Sequence, residues 1–244
     1  MIPLIGPGLH ARFQALRPDL EQAGVEPLNI AQVFVPVGPY RGAVPGLPRV
    51  LFVGQCTRGY GEADIADFDA AWKRGEEIVQ SDFFPSGRTA FWRFARGVMR
   101  GVASRLERDA ADDDTRLAAS VGWSNLAKVG DVKGNATSSA IGVQADLCVS
   151  ALHAEVECMR PDAVVVATGK YAKAEIFDRF FGAEGWTPAP YKECGVYLKR
   201  DAALSVPIIA WTAHPRRLSY QGAAVFAAAM GEVTAALSTR TPAR

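Results

Sequence analysis

At 244 residues, 49% hydrophobic and 22% charged, the chain has the balance of an ordinary globular protein and enough apolar mass for a sizeable core. Lysine and arginine (27) nearly cancel aspartate and glutamate (26), leaving a net charge of +1. That excludes a strongly basic nucleic-acid-coating protein but leaves room for local basic patches. No apolar stretch is long enough to span a bilayer, and Met1–Gly8 has no basic region leading into an apolar run, so the expected location is the cytoplasm.

Residues 1–47 are rich in proline and glycine and read as an arm lying on a domain formed by 48–244, with one short helix around His10–Leu16 or Pro18–Ala23. Four apolar runs follow: Arg49–Gly54, Gly122–Val129, Asp162–Gly169 and Pro207–Thr212. Their β-branched content and Gly/Pro boundaries suit strands buried on both faces, at about Val50–Val53, Trp123–Leu126, Ala163–Ala167 and Ile208–Trp211. Helices are expected between them at Ala63–Val79, Arg88–Leu106, Ser138–Met159 and Lys170–Phe181, with Tyr220–Leu237 closing the chain. In Ser138–Met159 the residues Ile141, Ala145, Cys148, Leu152 and Val156 share one face, with Ser138 or Ser139 as N-cap. Asp109–Asp114 reads as a solvated loop. Strands alternating with helices give an α/β class fold: three layers, α/β/α, around a central four-stranded parallel sheet.

Cys56, Cys148, Cys158 and Cys194 form no C-x-x-C pair and no zinc spacing. An iron–sulfur cluster on these four is the less favoured alternative; the expectation is no metal and no cofactor, with Cys56 in a pocket and the others as packing residues.

In open α/β sheets ligands bind beyond the carboxyl ends of the strands. The first run ends in Gly54-Gln55-Cys56-Thr57-Arg58-Gly59-Tyr60-Gly61, which matches neither a dinucleotide fingerprint nor a P-loop. The second delivers Asn125, whose amide both donates and accepts, then Lys128, Lys133, Gly134 and Asn135. The third ends in Thr168-Gly169-Lys170. The fourth ends in His214-Pro215-Arg216-Arg217-Leu218-Ser219, an imidazole just past a buried strand followed by a turn and two cations. Each motif also has a plain reading: a glycine turn, an asparagine satisfying a loop backbone, and a His-Pro turn with two solvated arginines.

From about Pro48 onward these residues resemble the uracil-DNA glycosylase superfamily. His214-Pro-Arg-Arg-Leu-Ser-Tyr-Gln-Gly222 is similar to the family's H-P-S-P-L-S-x-Y-x-G segment, matching at His214, Pro215, Leu218 and Ser219, with Gly222 one position before the segment's glycine. Gly54-Gln55 matches the start of G-Q-D-P-Y-H, and Asn125 falls where the family has a base-reading asparagine. Leu152, Glu155 and Pro161 fit the pattern L-x-x-E before the third strand, and Phe84-Pro-Ser-Gly87 resembles the position of the phenylalanine that stacks on the base. The chain departs from the pattern at Cys56, where the family has a water-activating Asp or Asn, at Thr57 and Arg58 in place of Pro and Tyr, and at Arg216 in place of Ser.

The resemblance implies strand order 2-1-3-4 and a monofunctional DNA glycosylase that flips uracil, or a related damaged base, out of DNA and hydrolyses its N-glycosidic bond. It assigns His214, Gln55 and Cys56 to the catalytic site and Asn125, Phe84 (or Phe83), Tyr60 and Gly54 to the base. Leu218 becomes the wedge into the duplex, and Arg216, Arg217, Ser219, Lys128 and Lys133 the contacts to DNA. Asp131, Glu62 and Asp64 are the nearby carboxylates by sequence. The partner expected is uracil-containing DNA, with no membrane and no obligate protein partner, for a monomer. The alternative is a non-catalytic DNA- or base-binding member that keeps the pocket. A small-molecule hydrolase is disfavoured, since the chain has no G-x-S-x-G elbow.

Overall fold

The structure, a computed structural model, describes residues 6–25, 44–56, 83–109, 111–130, 135–190, 195–201, 204 and 206–239. Its centre is a six-stranded sheet. β1 (Val50–Cys56), β2 (Val121–Ala127), β3 (Ala163–Ala167) and β6 (Val206–Thr212) are joined by the short β4 (Thr187–Pro188) and by β5 (Tyr197–Asp201). The order across the sheet is β2-β1-β3-β6-β5-β4. β1 pairs in parallel with β2 and β3, and β3 with β6. β5 runs antiparallel to both β6 and β4. The expected four-stranded, all-parallel sheet is therefore corrected to a mixed sheet of six. The extra hairpin escapes a sequence reading because β4 is two exposed residues long and Tyr197-Leu-Lys-Arg-Asp201 is as polar as a loop.

The strands alternate their side chains between two apolar cores, the period-2 rule of a pleated sheet. Val50, Phe52, Val121, Trp123, Val165 and Ala210 face one side. Leu51, Val53, Leu126, Val164, Val166 and Ile209 face the other. Helices cover both faces. On the second face lie α1 (Pro7–Ala15), α2 (Arg17–Gln22) and α6 (Ser138–Met159), so both alternatives for the short N-terminal helix are realised, and Phe13 and Leu20 join the core beneath α6. The expected stripe of α6 is buried, but its N-cap is Thr137, whose hydroxyl accepts from the Ala140 amide; a cap must sit outside the first helical turn.

The first face is covered by α3 (Phe83–Ser86), α4 (Ala90–Arg105), α5 (Asp114–Ala118) and α9 (Ala223–Ser238). Thr89 caps α4, and Gly97 and Gly101 let α9 approach it closely: a Cβ at Gly97 would lie 2.3 Å from Met230 Sδ, and one at Gly101 2.9 Å from Thr234. The acidic stretch is not wholly a loop. Asp113 caps α5, and the Asp114 carboxylate pairs bidentately with Arg100 at 2.8 Å. The expected helix Lys170–Phe181 is a π-helical turn, Lys173–Phe177, leading into α7 (Asp178–Phe181). α8 (Pro215–Tyr220) separates β6 from α9, so the expected closing helix starts three residues late. At the opposite end of the sheet, Asp162 ties β1 to β3 by accepting from the Arg49 amide at 2.8 Å and from its guanidinium at 3.2 Å.

Candidate functional site

The carboxyl ends of β1, β2, β3 and β6 carry the polar motifs, and the parallel register brings them to one edge. On β2, Asn125 pairs with Gly54 of β1. Asn125 is 2% exposed and lies on the α4 side, in line with Trp123. Its amide leans across β1: a Cβ at Gly54 would sit 2.4 Å from Asn125 Oδ1. Any side chain at this position would have to displace the amide. Asn125 Nδ2 is buried and has no hydrogen-bond partner among the described residues. An unpartnered buried amide donor costs about 1–3 kcal/mol, a cost seldom kept without a use.

Beneath Asn125, on the α6 side, lies a fully buried polar island. Lys128 and Glu155 are both 0% exposed and pair at 2.7 Å. Lys128 Nζ also donates to Ser124 Oγ at 2.6 Å and to the carbonyl of Asn125 at 2.7 Å. The Ser124 hydroxyl donates to Glu155 Oε2 at 2.5 Å. Burial pushes the Glu155 carboxyl upward, against the opposing pull of Lys128. Next along, Gln144 accepts from the Val129 amide at 2.9 Å and donates to its carbonyl at 2.7 Å. The Lys128 amide donates to Cys148 Sγ at 3.4 Å. These bonds strap the exit of β2 to α6. Lys128 is thus corrected from a phosphate contact to a buried post under Asn125; a cation with no exposed surface cannot reach DNA.

At the end of β1, Gln55 donates to the Thr168 carbonyl at 3.0 Å and accepts from Asn135 Nδ2 at 2.9 Å. Cys56 is half-buried, and its thiol donates to Asn135 Oδ1 at 3.5 Å. Its second neighbour is Tyr171, whose phenol is pushed well above the ordinary range, chiefly by burial and further by Cys56. Gly169 donates to the Thr212 carbonyl at 3.0 Å and accepts from Trp211 Nε1 at 3.0 Å, which locks the turn after β3 against the end of β6. The His214 backbone amide lies 3.5 Å from where a Cβ on Gly169 would stand.

His214 is half-buried and is the N-cap of α8, its Nδ1 accepting from the Arg216 amide at 3.3 Å. With Nδ1 an acceptor, the neutral ring carries its proton on Nε2, which makes Nε2 the donor atom. Arg216 and Arg217 are exposed. Arg216 Nε donates to Tyr220 Oη at 2.9 Å, and its guanidinium lies over the Tyr220 ring at 5.7 Å. Ser219 Oγ donates to the Arg216 carbonyl at 2.8 Å, inside the helix.

Two more expectations are corrected. Leu218 is 1% exposed, packed in the core under α8, and offers no wedge; the exposed aromatic side chain of that helix is Tyr220, 74% exposed. The 3.6-residue period turns Leu218 inward. Phe84 is fully buried against Trp92, with ring centroids 6.3 Å apart, and has no open face for stacking. Phe91, in the first turn of α4, is the ring that reaches the site. It is half-buried, and its Cε2 lies 3.5 Å from the Cβ position of Gly54. Its signal was present as an aromatic two residues past the cap Thr89.

Cys148 is buried and its thiol is pushed up to about 12 by burial, whereas Cys158 is exposed, so only the first is a packing residue. The structure brings together Gly54, Gln55, Cys56, Asn125 and His214 at one sheet edge. Thr57, Arg58, Tyr60, Glu62, Asp64, Asp131, Lys133, Gly134, Cys194, the expected helix Ala63–Val79 and the side chain of Phe83 lie outside the described residues.

Among the described residues no three His, Cys, Asp or Glu side chains form a group able to hold a metal ion, and no helix is long and apolar enough to cross a membrane. A separate groove of about 580 Å³ lies between β5 and α9, bounded by Leu198, Ile208 and Ala236, away from the strand ends. No family model matches the chain, and no curated protein matches it.

Proposed function

We propose that the protein is a DNA glycosylase of the uracil-DNA glycosylase type, which holds an extruded base at the carboxyl edge of β1, β2, β3 and β6. The observation that carries this reading is Asn125: a buried amide leaning over a glycine, with one donor unpartnered, at the strand-end edge where open α/β sheets bind ligands. An amide offers a donor and an acceptor together, which is what the edge of uracil requires. Further support comes from the parallel order β2-β1-β3-β6, which is the arrangement the resemblance implies, and from Phe91 beside Gly54, in stacking reach of a flat ring.

In this reading the bond between base and sugar C1′ breaks with its electron pair going to the base. The sugar becomes oxocarbenium-like, and a water oxygen bonds to C1′ and loses its proton to solvent. His214 Nε2 donates to the base carbonyl on which the negative charge grows, a contact strongest in the transition state. Gln55 shapes the backbone around the turn, and Arg216 and Arg217 hold phosphates. Cys56 stands where the family has its water-activating residue, with its thiol engaged by Asn135. That position favours a second reading, a protein that binds the base without turnover.

The test is incubation with a single-stranded uracil-containing oligonucleotide followed by alkali. Strand cleavage at the uracil is expected, and Asn125→Asp shifts the tolerated base because it replaces a donor with an acceptor. Binding without cleavage selects the second reading. Absence of both removes the proposal.

A further inference from the structure

The register places four residues in one row across the carboxyl edge of the sheet. Asn125 pairs with Gly54. Val53 pairs with Val166, so the next positions, Gly54 and Ala167, fall opposite one another. Ala167 pairs with Thr212. All four point to the α4 side: Phe52, Trp123, Val165 and Ala210, each two residues earlier on its strand, belong to that core. The row therefore reads amide, glycine, alanine, hydroxyl, with the Asn125 amide leaning over Gly54. Its two end groups share a second property. Thr212 is 1% exposed, and its Oγ1, like Asn125 Nδ2, is buried with no hydrogen-bond partner among the described residues.

A threonine deep in a strand ordinarily finds a backbone acceptor. Two unpartnered polar groups on one face of one row, with only Gly54 and Ala167 between them, indicate a shelf shaped for something that supplies the missing partners. Three strand spacings of about 4.8 Å separate the end residues, roughly 14 Å between backbones. An extruded nucleotide lying along this row would meet Asn125 at one end and Thr212 at the other. Thr212 ends β6 two residues before His214, the cap of α8, so it serves the end of the ligand that His214 serves, where the base carbonyl adjoins the sugar.

We infer that Thr212 is a second recognition residue of this site: its hydroxyl bonds the sugar-side end of a deoxynucleoside whose base edge is read by Asn125. This rests on the base-binding reading above, and it adds a residue and a second point of contact that the motifs do not assign.

The inference makes a paired demand. Thr212→Val keeps the shape and removes only the hydroxyl. In the unliganded protein this deletes an unsatisfied buried group, so the melting temperature rises by a few degrees. Function moves the other way: excision kcat/KM on the uracil oligonucleotide falls about 10-fold. So does affinity for a single-stranded oligonucleotide carrying one 2′-fluoro-deoxyuridine, whose fluorine resists the oxocarbenium-like step. Thr212→Ser restores both.

Unchanged binding of the fluorinated oligonucleotide by Thr212→Val overturns the inference, and the glycosylase reading stands if wild type still excises. A drop in melting temperature also overturns it, since the hydroxyl then serves the fold. If wild type binds the fluorinated strand without excising uracil, and Thr212→Val weakens that binding, the shelf is upheld and the catalytic reading fails. No binding by wild type rejects both.

Discussion

His214 combines two duties that a single truncation confuses. Its Nδ1 caps α8, and its Nε2 is the donor the proposed chemistry needs. His214→Ala removes both, losing about 0.5–2 kcal/mol of capping. His214→Asn keeps a capping acceptor and removes the distal donor. Excision by His214→Asn is therefore expected to fall about 10²–10³-fold in single-turnover assays. Its melting temperature stays near wild type, and DNA affinity changes little because phosphate contacts carry most of it. A variant that excises at the wild-type rate removes His214 from the reaction. Gly54 gives the complementary test. A methyl group there meets Asn125 Oδ1 at 2.4 Å, so Gly54→Ala must displace the amide. The expected cost is about 1–3 kcal/mol by urea melt, with base recognition lost. Unaltered uracil binding would show that the amide is not the reader. Gly54 and Asn125 were legible as motif residues, but their contact was not, because it depends on the pairing of β1 with β2.

At the scale of elements, α6 and β2 act as one unit. Lys128, Glu155 and Ser124 are buried between them, and Lys128 holds the carbonyl of Asn125. Removing one ion of a buried pair leaves the other uncompensated, so Glu155→Ala is expected to lose about 3–5 kcal/mol in urea unfolding. Replacing the island together, as Lys128→Met/Glu155→Leu/Ser124→Ala, recovers most of that stability while base binding stays impaired, since the Asn125 backbone has lost its post. Full recovery of binding would mark the island as packing alone. The helix α6 itself was legible from its apolar spacing. The role of Lys128 was not: a lysine after a strand reads as a solvent-facing cation, and only its pairing with Glu155, 27 residues on, allows it to be buried.

Over the whole molecule, burial separates chemically identical groups. Cys148 and Cys158 sit on one helix, yet iodoacetamide at pH 8 should label Cys158 in the native protein and Cys148 only after unfolding, as read by peptide mass spectrometry. Native labelling of Cys148 would contradict its place in the core. The same burial sets an alkaline limit. Folding raises the Cys148 thiol from 9.0 to about 12. Between those values the folded state keeps a proton that the unfolded chain releases, so this group makes stability fall as pH rises from about 9 to about 12, and Cys148→Ala should flatten that decline. Local pattern was enough to define the α/β class, the four parallel strands and α6, because apolar periodicity and turn residues act over a few positions. The hairpin of β4 and β5, the inward turn of Leu218, the substitution of Phe91 for Phe84 and the row from Asn125 to Thr212 required the folded chain. Each depends on which strands pair and which helix covers them, and those contacts join residues too far apart in sequence for local periodicity to relate.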